Sequence, residues 1–424
     1  MGISKSKKPN IVLIISDALR PKDMSIYGRG LELDTNLKTI SSESVIFEKN
    51  FSASNASDTS VTAIFSGLLP KTSGFIHQHP YTKKQEIDKL RKIKFWLPIF
   101  LKKQGYSTFS ATPLHLWFKK GFDFSMDLGK QDANKFLNNK LIKKILLTLP
   151  SWMYSLGKKI IKSRASPNFY SAENVINLAI SQINSSKKPF FLFMHLVDTH
   201  FPFPGAETKK ISGNRNLKNI LRTIDSSSQR EYIKKRFYDA SAEFLEQIEE
   251  KRDSAIIQVD NQIGRLYEFL KSKNIWKNTI FIFLSDHGEN YGEHNTYFCR
   301  GGLYDSSVHT PLLIHLPNYP AKRINELTQS IDIAPTILDF IGTNRNIDGK
   351  SLLPLIKTNK KIHDKIFLID GFCEKRTATR TKTKKTILSE SGKCNICGAE
   401  HSSLKEVYDL KKDPEEWNNL SKKE

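Results

Sequence analysis

Ile280-Phe281-Ile282-Phe283-Leu284 runs directly into Ser285-Asp286-His287-Gly288-Glu289. An unbroken apolar run of this length reads as a strand buried on both faces, as in a parallel sheet. Polar residues that follow such a strand stand at the carboxyl end of an open α/β sheet, where these sheets build their sites. An aspartate beside a histidine at the mouth of a cleft is a good ligand pair for a divalent cation. Taken alone, the pentapeptide is also consistent with a polar turn that caps a strand.

A second strand end of the same kind lies near the N-terminus. Asn10-Ile11-Val12-Leu13-Ile14-Ile15 ends in Ser16-Asp17, and the two ends converge if their strands are neighbours in one sheet. Phe190-Phe191-Leu192-Phe193-Met194-His195-Leu196 reads as a further central strand, with Val197-Asp198-Thr199-His200-Phe201-Pro202 after it. His195 sits on that strand and reads as a buried, hydrogen-bonded residue. Between the strands, Leu97–Gly105 and Ser171–Asn184 have helical patterns. Ile256, Ile263, Leu266, Phe269 and Leu270 approximate the spacing of a core-facing helix. Strands alternating with helices predict an α/β fold.

The chain has 424 residues, with 66 Lys and Arg against 44 Asp and Glu, a net charge of +22. A hydrophobic fraction of 38% suffices for a core and excludes a disordered chain. The length suits one large domain with an appendage, or two to three average ones. The charge favours anionic partners, among them a sulfated or phosphorylated substrate and an acidic membrane surface. A lysine-rich solvated surface is the plainer account of it. No nucleic-acid-binding signature stands out, so no nucleic acid is expected as a partner. Four cysteines in this length argue against a disulfide framework. Met1 to Lys8 has no apolar core and so is no signal peptide, and no apolar stretch reaches the length of a membrane span. A cytoplasmic protein, peripheral at the membrane, is the expectation.

In their order, the segments resemble the sulfatase family of the alkaline phosphatase superfamily. Asp17 through Tyr27-Gly28 is similar to the family's first metal segment, and Thr35-Asn36-Leu37 to the helix start after it. Ala63-Ile64-Phe65-Ser66-Gly67-Leu68-Leu69-Pro70 resembles the helix and turn after the nucleophile. His195 to Pro202 resembles "His-x-x-Asp-Pro-His-x-Pro". Gly292-Glu293-His294, Arg300 to Leu312, Ser330 to Leu338 and Val407 to Pro414 continue the likeness. It covers residues 9 to 125 and 187 to 420.

The resemblance implies an alkaline-phosphatase-like three-layer α/β/α domain with a large mixed sheet over residues 9–345. A small C-terminal α+β sheet subdomain follows over 346–424. It implies that Asp17, Asp286, His287 and Ser57 hold one divalent metal ion, calcium first, with manganese and zinc as alternatives. Ser57 would attack, His200 would serve the leaving group and bind substrate, and Arg300 would hold the anion. A one-residue gap would put Cys299 in place of Arg300.

Two departures bear on the chemistry. Many sulfatases have two adjacent aspartates where this chain has Asp17 and Ala18. The family converts Cys or Ser to formylglycine within Cys/Ser-x-Pro-Ser-Arg, but this chain has Ser57-Asp58-Thr59-Ser60-Val61. The proline and arginine are absent, so an unmodified serine is expected. Ser57 is also open to reading as a helix N-cap, with Thr59 and Ser60 as competing nucleophiles.

The implied function is metal-dependent hydrolysis of sulfate esters, for example on a cell-surface glycan. A phosphodiesterase or phospho-headgroup transferase using unmodified Ser57 is the alternative, and an inactive anion-binding relative is the third. Residues 131–165 form a basic, amphipathic insertion. Within it, 141–162 suits either a membrane interface with a lipid-linked substrate or a helical lid. His77 and His79 read as loop residues, His309 as core, and Asp332 as the start of a helix. Asp198 reads as orienting His200 or its turn. Cys394-Asn395-Ile396-Cys397, with Cys373 and His401, is half of a structural zinc pattern.

Overall fold

The computed structural model describes residues 8–79, 81–114, 116–127, 171–186, 189–204, 242–295, 297–372, 375–391 and 404–423. The basic insertion 131–165, the stretch 205–237, and Cys373, Cys394, Cys397 and His401 lie outside the described residues. Strands β1 (Asn10–Ser16), β2 (Val45–Phe51), β3 (Ser107–Thr112), β4 (Phe124–Asp127), β5 (Phe190–Leu196) and β6 (Thr279–Leu284) belong to one large sheet. A short ribbon, β7 (Asn290–Tyr291) and β8 (Tyr297–Cys299), precedes its last members, β9 (Leu312–His315) and β10 (Lys322–Gln329). Their order is β10-β2-β9-β6-β1-β5-β3-β4. β1 is parallel to β6 on one side and to β5 on the other, whereas β9 runs antiparallel to both of its neighbours. The sheet is therefore mixed, in agreement with the sequence reading.

The apolar runs are continuous because both faces of the sheet are covered. Ile11, Leu13 and Ile15 of β1 enter one core cluster and Val12 and Ile14 enter the other. β6 divides in the same way, with Ile280, Ile282 and Leu284 against Phe281 and Phe283. The first face is packed by Val61, Ile64 and Phe65 of α2 (Ser57–Ser66), which follows α1 (Thr35–Ser41). The second is packed by the helices Ala172–Ser185 and Ala242–Ser272. Each such side chain contributes about 1.5–3 kcal/mol when fully buried. The helix Ala242–Ser272 starts well before the predicted stretch, and its Asp260 carboxylate accepts the backbone N–H groups of Asn36 and Leu37 at the start of α1.

The C-terminal sheet is antiparallel, with β11 (Lys365–Ile369), β12 (Arg376–Thr381), β13 (Lys384–Ser389) and β14 (Lys405–Asp409) in sequential order. Period-2 alternation gives it one apolar face. Ile366, Leu368, Ala378, Ile387 and Tyr408 pack on Leu303, Tyr304 and Val308, just after Arg300. Within the segment 346–424, Leu352, Leu353, Leu355 and Ile356 pack instead into the core of the large sheet. Lys385 is fully buried; its ammonium donates to the Leu303 carbonyl at 2.8 Å and pairs with Asp305 at 2.7 Å and Glu416 at 2.6 Å. Among the described residues, no helix is long and apolar enough to cross a membrane.

His309 lies where the two sheets meet and is core, as expected. Its ring stacks on Phe51 at 4.8 Å, and Nε2–H donates to the Glu48 carbonyl at 2.8 Å. Burial pushes its pKa down to about 4, and Arg380 and Lys385 add to this while Asp305 opposes it. A histidine whose folded pKa is depressed binds more protons in the unfolded chain between the two values, so stability rises with pH across that window. We expect the melting temperature to fall as pH drops from about 6.5 toward 4. His309→Gln, which keeps a donor for Glu48 but does not titrate, should have a shallower melting profile over that window. An unchanged slope would remove His309 as a contributor.

Candidate active site

Three neighbouring parallel strands deliver the polar cluster. Ile15 of β1 stands between Leu284 of β6 and His195 of β5. Side chains alternate along a strand, so Asp17 continues the face of Ile11, Leu13 and Ile15. Asp286 continues that of Ile280, Ile282 and Leu284, and His195 that of Phe191 and Phe193. All three fall on the face covered by α2. Their donor atoms lie within 4.8 Å of one another.

The distances describe a gathered group. His195 Nε2 is 3.3 Å from Asp17 Oδ2 and 3.6 Å from Asp286 Oδ2. His287 Nε2 is 3.4 Å from Asp17 Oδ1 and 3.6 Å from Asp286 Oδ2. Asp17 Oδ1, Asp286 Oδ2 and both ring nitrogens of His195 have no hydrogen-bond partner among the described residues. All four side chains are buried. Leaving buried carboxylate oxygens unsatisfied is costly, and a divalent cation satisfies them. The residues present therefore fit the metal that the resemblance implies. Burial raises the Asp17 pKa, but the imidazoles of His200, His195 and His287 outweigh it and hold the carboxyl well below the usual range.

His287 is fixed as a neutral ligand or acceptor. Its Nδ1 faces the Gly288 carbonyl at 2.8 Å, which can only accept, so Nε2 bears the lone pair. Burial and Arg300 lower its pKa, against Asp286 and Asp17. Gly288 has no room for a side chain, since a Cβ there would meet the Ser306 carbonyl oxygen at 2.2 Å. Arg20 pins the same loop, donating to the Glu289 carbonyl and to Glu293 at 2.9 Å each.

Ser57 is the first residue of α2, after the N-cap position Ala56, and its side chain does not cap the helix. Its Oγ is 3.0 Å from His287 Nε2. Its backbone N–H donates to Gln78 Oε1 at 3.2 Å. The competing hydroxyls are occupied elsewhere: Thr59 donates to the Ile76 carbonyl, and Ser60 bonds Ser52 and the Ser54 carbonyl. Arg300 Nη1 reaches His287 Nε2 at 2.8 Å, His200 Nε2 at 3.3 Å and Ser57 Oγ at 3.5 Å. His200 Nδ1 faces the Phe201 carbonyl, so its Nε2 is the atom turned to the site. Asp17, Ser57, His200, Asp286, His287 and Arg300 are thus brought together.

The sulfatase family matches residues 9–343. This chain belongs to the sulfatase family. Residues 292–424 also match the family described as N-sulphoglucosamine sulphohydrolase, C-terminal. The sulfatase is 25% identical over 468 residues to an arylsulfatase of Clostridium perfringens, covering 97% of this chain and 90% of that protein. Its fold is similar to that of the phosphonate monoester hydrolase of Agrobacterium radiobacter, with a TM-score of 0.70 and 18% identity over 98% of this chain and 92% of that one. It is also similar to a protein solved in complex with its substrate D-glucosamine-2-N,6-O-disulfate, with a TM-score of 0.69 and 19% identity over 98% and 94% of the two chains. It is an ester hydrolase of that family, and its folded core is the three-layer domain with a small C-terminal sheet that the sequence predicted.

Some expectations change. His195 is the buried strand residue expected, but its only polar approaches among the described residues are long ones to the two aspartates, 3.3 Å to Asp17 and 3.6 Å to Asp286. The available signal was parity, since His195 is two residues beyond Phe193 on the α2 face. Asp198, read as orienting His200 or its turn, accepts the Ala172 backbone N–H at 3.0 Å, beside the N-cap Ser171 of that helix. Asp332 is a helix-start residue as expected, with His363 at 2.9 Å. The sequence reading missed Asn55. Its Nδ2 donates to the carbonyls of Arg300 at 2.8 Å and Gly302 at 2.9 Å and to Asp370 at 3.0 Å, while its Oδ1 accepts from Gly371 N–H. This amide ties the nucleophile turn to the Arg300 loop and to the end of β11. Asn55→Ala would leave several buried groups unpaired. We expect a lower melting temperature and a fall in kcat of about tenfold or more, since the arginine loses its position. Unchanged kcat in a folded variant would mean that Arg300 is held by other contacts.

Proposed function

We propose that this sulfatase hydrolyses sulfate esters on an anionic substrate, a sulfated glycan by preference, with Ser57 as nucleophile. The observation that carries this reading is the meeting of Ser57 Oγ, His200 Nε2 and the Arg300 guanidinium beside the buried carboxylate–imidazole group. A divalent cation held by Asp17, Asp286 and His287, when bound, would polarise the ester and lower the pKa of the Ser57 hydroxyl. The first turn of α2 adds the positive end of the helix dipole at Ser57. Ser57 Oγ attacks the sulfur in line with the leaving oxygen, forming one oxygen–sulfur bond as the ester bond breaks. Arg300 takes a non-bridging oxygen and stabilises the charge that grows there. His200 Nδ1–H is held by the Phe201 carbonyl, so its Nε2 takes up the proton that Ser57 Oγ loses as the new bond forms and passes it to the leaving oxygen. Water then releases sulfate from Ser57.

That last step is demanding for a plain serine, because no neighbouring hydroxyl expels the sulfate. One observation therefore favours a second reading, phosphodiester cleavage or transfer of a phospho-headgroup. Val61, standing where the modification motif has arginine, is fully buried in the core with Ile64 and Phe65. The fold shared with a phosphonate monoester hydrolase is compatible with this chemistry. The basic stretch 141–162 would then hold the enzyme at an anionic membrane surface beside a lipid-linked substrate.

The test is turnover of nitrophenyl sulfate against nitrophenyl phosphate mono- and diesters, with added calcium, manganese or zinc. Ser57→Ala should lose at least about a thousandfold in sulfate turnover. The Ser57 peptide should have the mass of unmodified serine. Turnover of phosphate esters alone would transfer the site to the second reading. A peptide lighter by one H₂ would mean that formylglycine forms without the usual motif. No turnover of any ester would leave only anion binding.

A further inference from the structure

The mechanism above makes no use of His195. This inference rests on the proposed metal site and deepens it. We infer that His195 is a further metal ligand beside Asp17, Asp286, His287 and Ser57, filling the role that Ala18 cannot, and that the resulting donor set selects a first-row transition cation over calcium.

His195 is 1% exposed in a strand whose neighbours are Phe193, Met194 and Leu196. A structural histidine at such a position is normally satisfied by a hydrogen bond, because a buried polar group left without one loses its hydration uncompensated. Nδ1 has no partner among the described residues, and Nε2 has only a long, poorly aligned approach to Asp17 at 3.3 Å. Nε2 faces one oxygen of each aspartate, at 3.3 and 3.6 Å. Those separations are longer than the 2.7–2.9 Å of a charge-assisted bond. The groups surround a common point and are not bonded tightly to one another.

The aspartates are prepared for the same point. Asp286 Oδ1 accepts the backbone N–H groups of His287 at 3.0 Å and Ala18 at 3.3 Å, which leaves Oδ2 facing His195 and His287. Ala18 contributes only its backbone, held at φ 60°. Its methyl group can ligate nothing, so the imidazole arrives from the adjacent strand β5. Asp17 and Asp286 supply two negative charges for a divalent ion, and His195 and His287 supply two neutral nitrogens. Calcium prefers six to eight oxygen ligands, whereas imidazole suits zinc and its first-row neighbours. Two nitrogens beside the two carboxylates and the Ser57 hydroxyl therefore argue against the calcium expected from an oxygen-rich site.

The experiment uses the full chain, stripped with a chelator and reloaded. Binding of zinc, manganese and calcium is measured by calorimetry and by the shift in melting temperature. The visible spectrum is recorded with cobalt(II) as a probe. The wild type should bind zinc or manganese at least about tenfold more tightly than calcium. His195→Asn should lose at least about tenfold in transition-metal affinity and alter the cobalt bands, with calcium binding little changed. Adding Ala18→Asp to His195→Asn restores a carboxylate and should move the preference toward calcium; aspartate tolerates positive φ better than most residues. Circular dichroism checks that each variant folds, and the wild-type metal preference stands as a test without any variant. Tighter calcium binding by the wild type, or unchanged zinc affinity and cobalt spectrum in folded His195→Asn, would overturn the inference while leaving the ester-hydrolase reading intact. If the wild type binds none of the three metals, the two aspartates are bridged by a protonated His195, and the metal-dependent reading of the site fails as well.

Discussion

Two buried carboxylates at the ends of adjacent parallel strands are the constraint on which the rest of the site depends. Asp17 and Asp286 follow β1 and β6, which pair in register. Like charges about 5 Å apart repel by about 3 kcal/mol at an effective dielectric of 20, before any desolvation is counted. The fold offsets this from several directions. His195 and His287 face both carboxylates, backbone N–H groups hold Asp286 Oδ1, and α2 points its positive end at the group.

The small sheet completes this arrangement from outside the main core. It packs on Leu303, Tyr304 and Val308, and buried Lys385 grips the Leu303 carbonyl. Ile369 N–H donates to the Ala53 carbonyl, beside the nucleophile turn. Gly371 lies against Ala56 and Ile76, where a Cβ would meet the Ile76 carbonyl oxygen at 2.4 Å. Arg300 itself is stacked on Phe372, with its guanidinium carbon 4.4 Å above the ring centroid. The end of β11 thus reaches both the serine and the arginine. The second sheet is a wall of the site as well as an appendage to the first.

α2 has two duties that explain its sequence. Every residue from Ser57 to Ser66 is buried, so the helix that presents Ser57 also fills one face of the sheet. Val61 belongs to the second duty. A long cation at that position would have to displace Ile64, Phe65 and their neighbours or find a polar route out of the core. The family likeness and the altered nucleophile segment are therefore compatible, because this helix keeps its packing while the modification motif is lost.

The sequence alone carried the architecture and named most of the polar residues that the structure brings together. Uninterrupted runs such as Ile11–Ile15 and Ile280–Leu284 are legible because only a sheet covered on both faces tolerates them. Asp17, Asp286 and His287 were legible because they end those runs, and Ser57, His200 and Arg300 because their segments resemble the family's. What the sequence could not reveal is set by distance across the chain. The choice of Ser57 over Thr59 rests on which hydroxyls already have partners at Ile76, Ser52 and Ser54. The role of Asn55 depends on loops more than 200 residues away in sequence. His195 looked like an ordinary strand residue, because its isolation from hydrogen bonds and its approach to two aspartates arise only when β5 pairs with β1. Local pattern determines which elements form and which face they bury. Only tertiary packing decides which polar atoms are left unpaired, and those unpaired atoms define the chemistry.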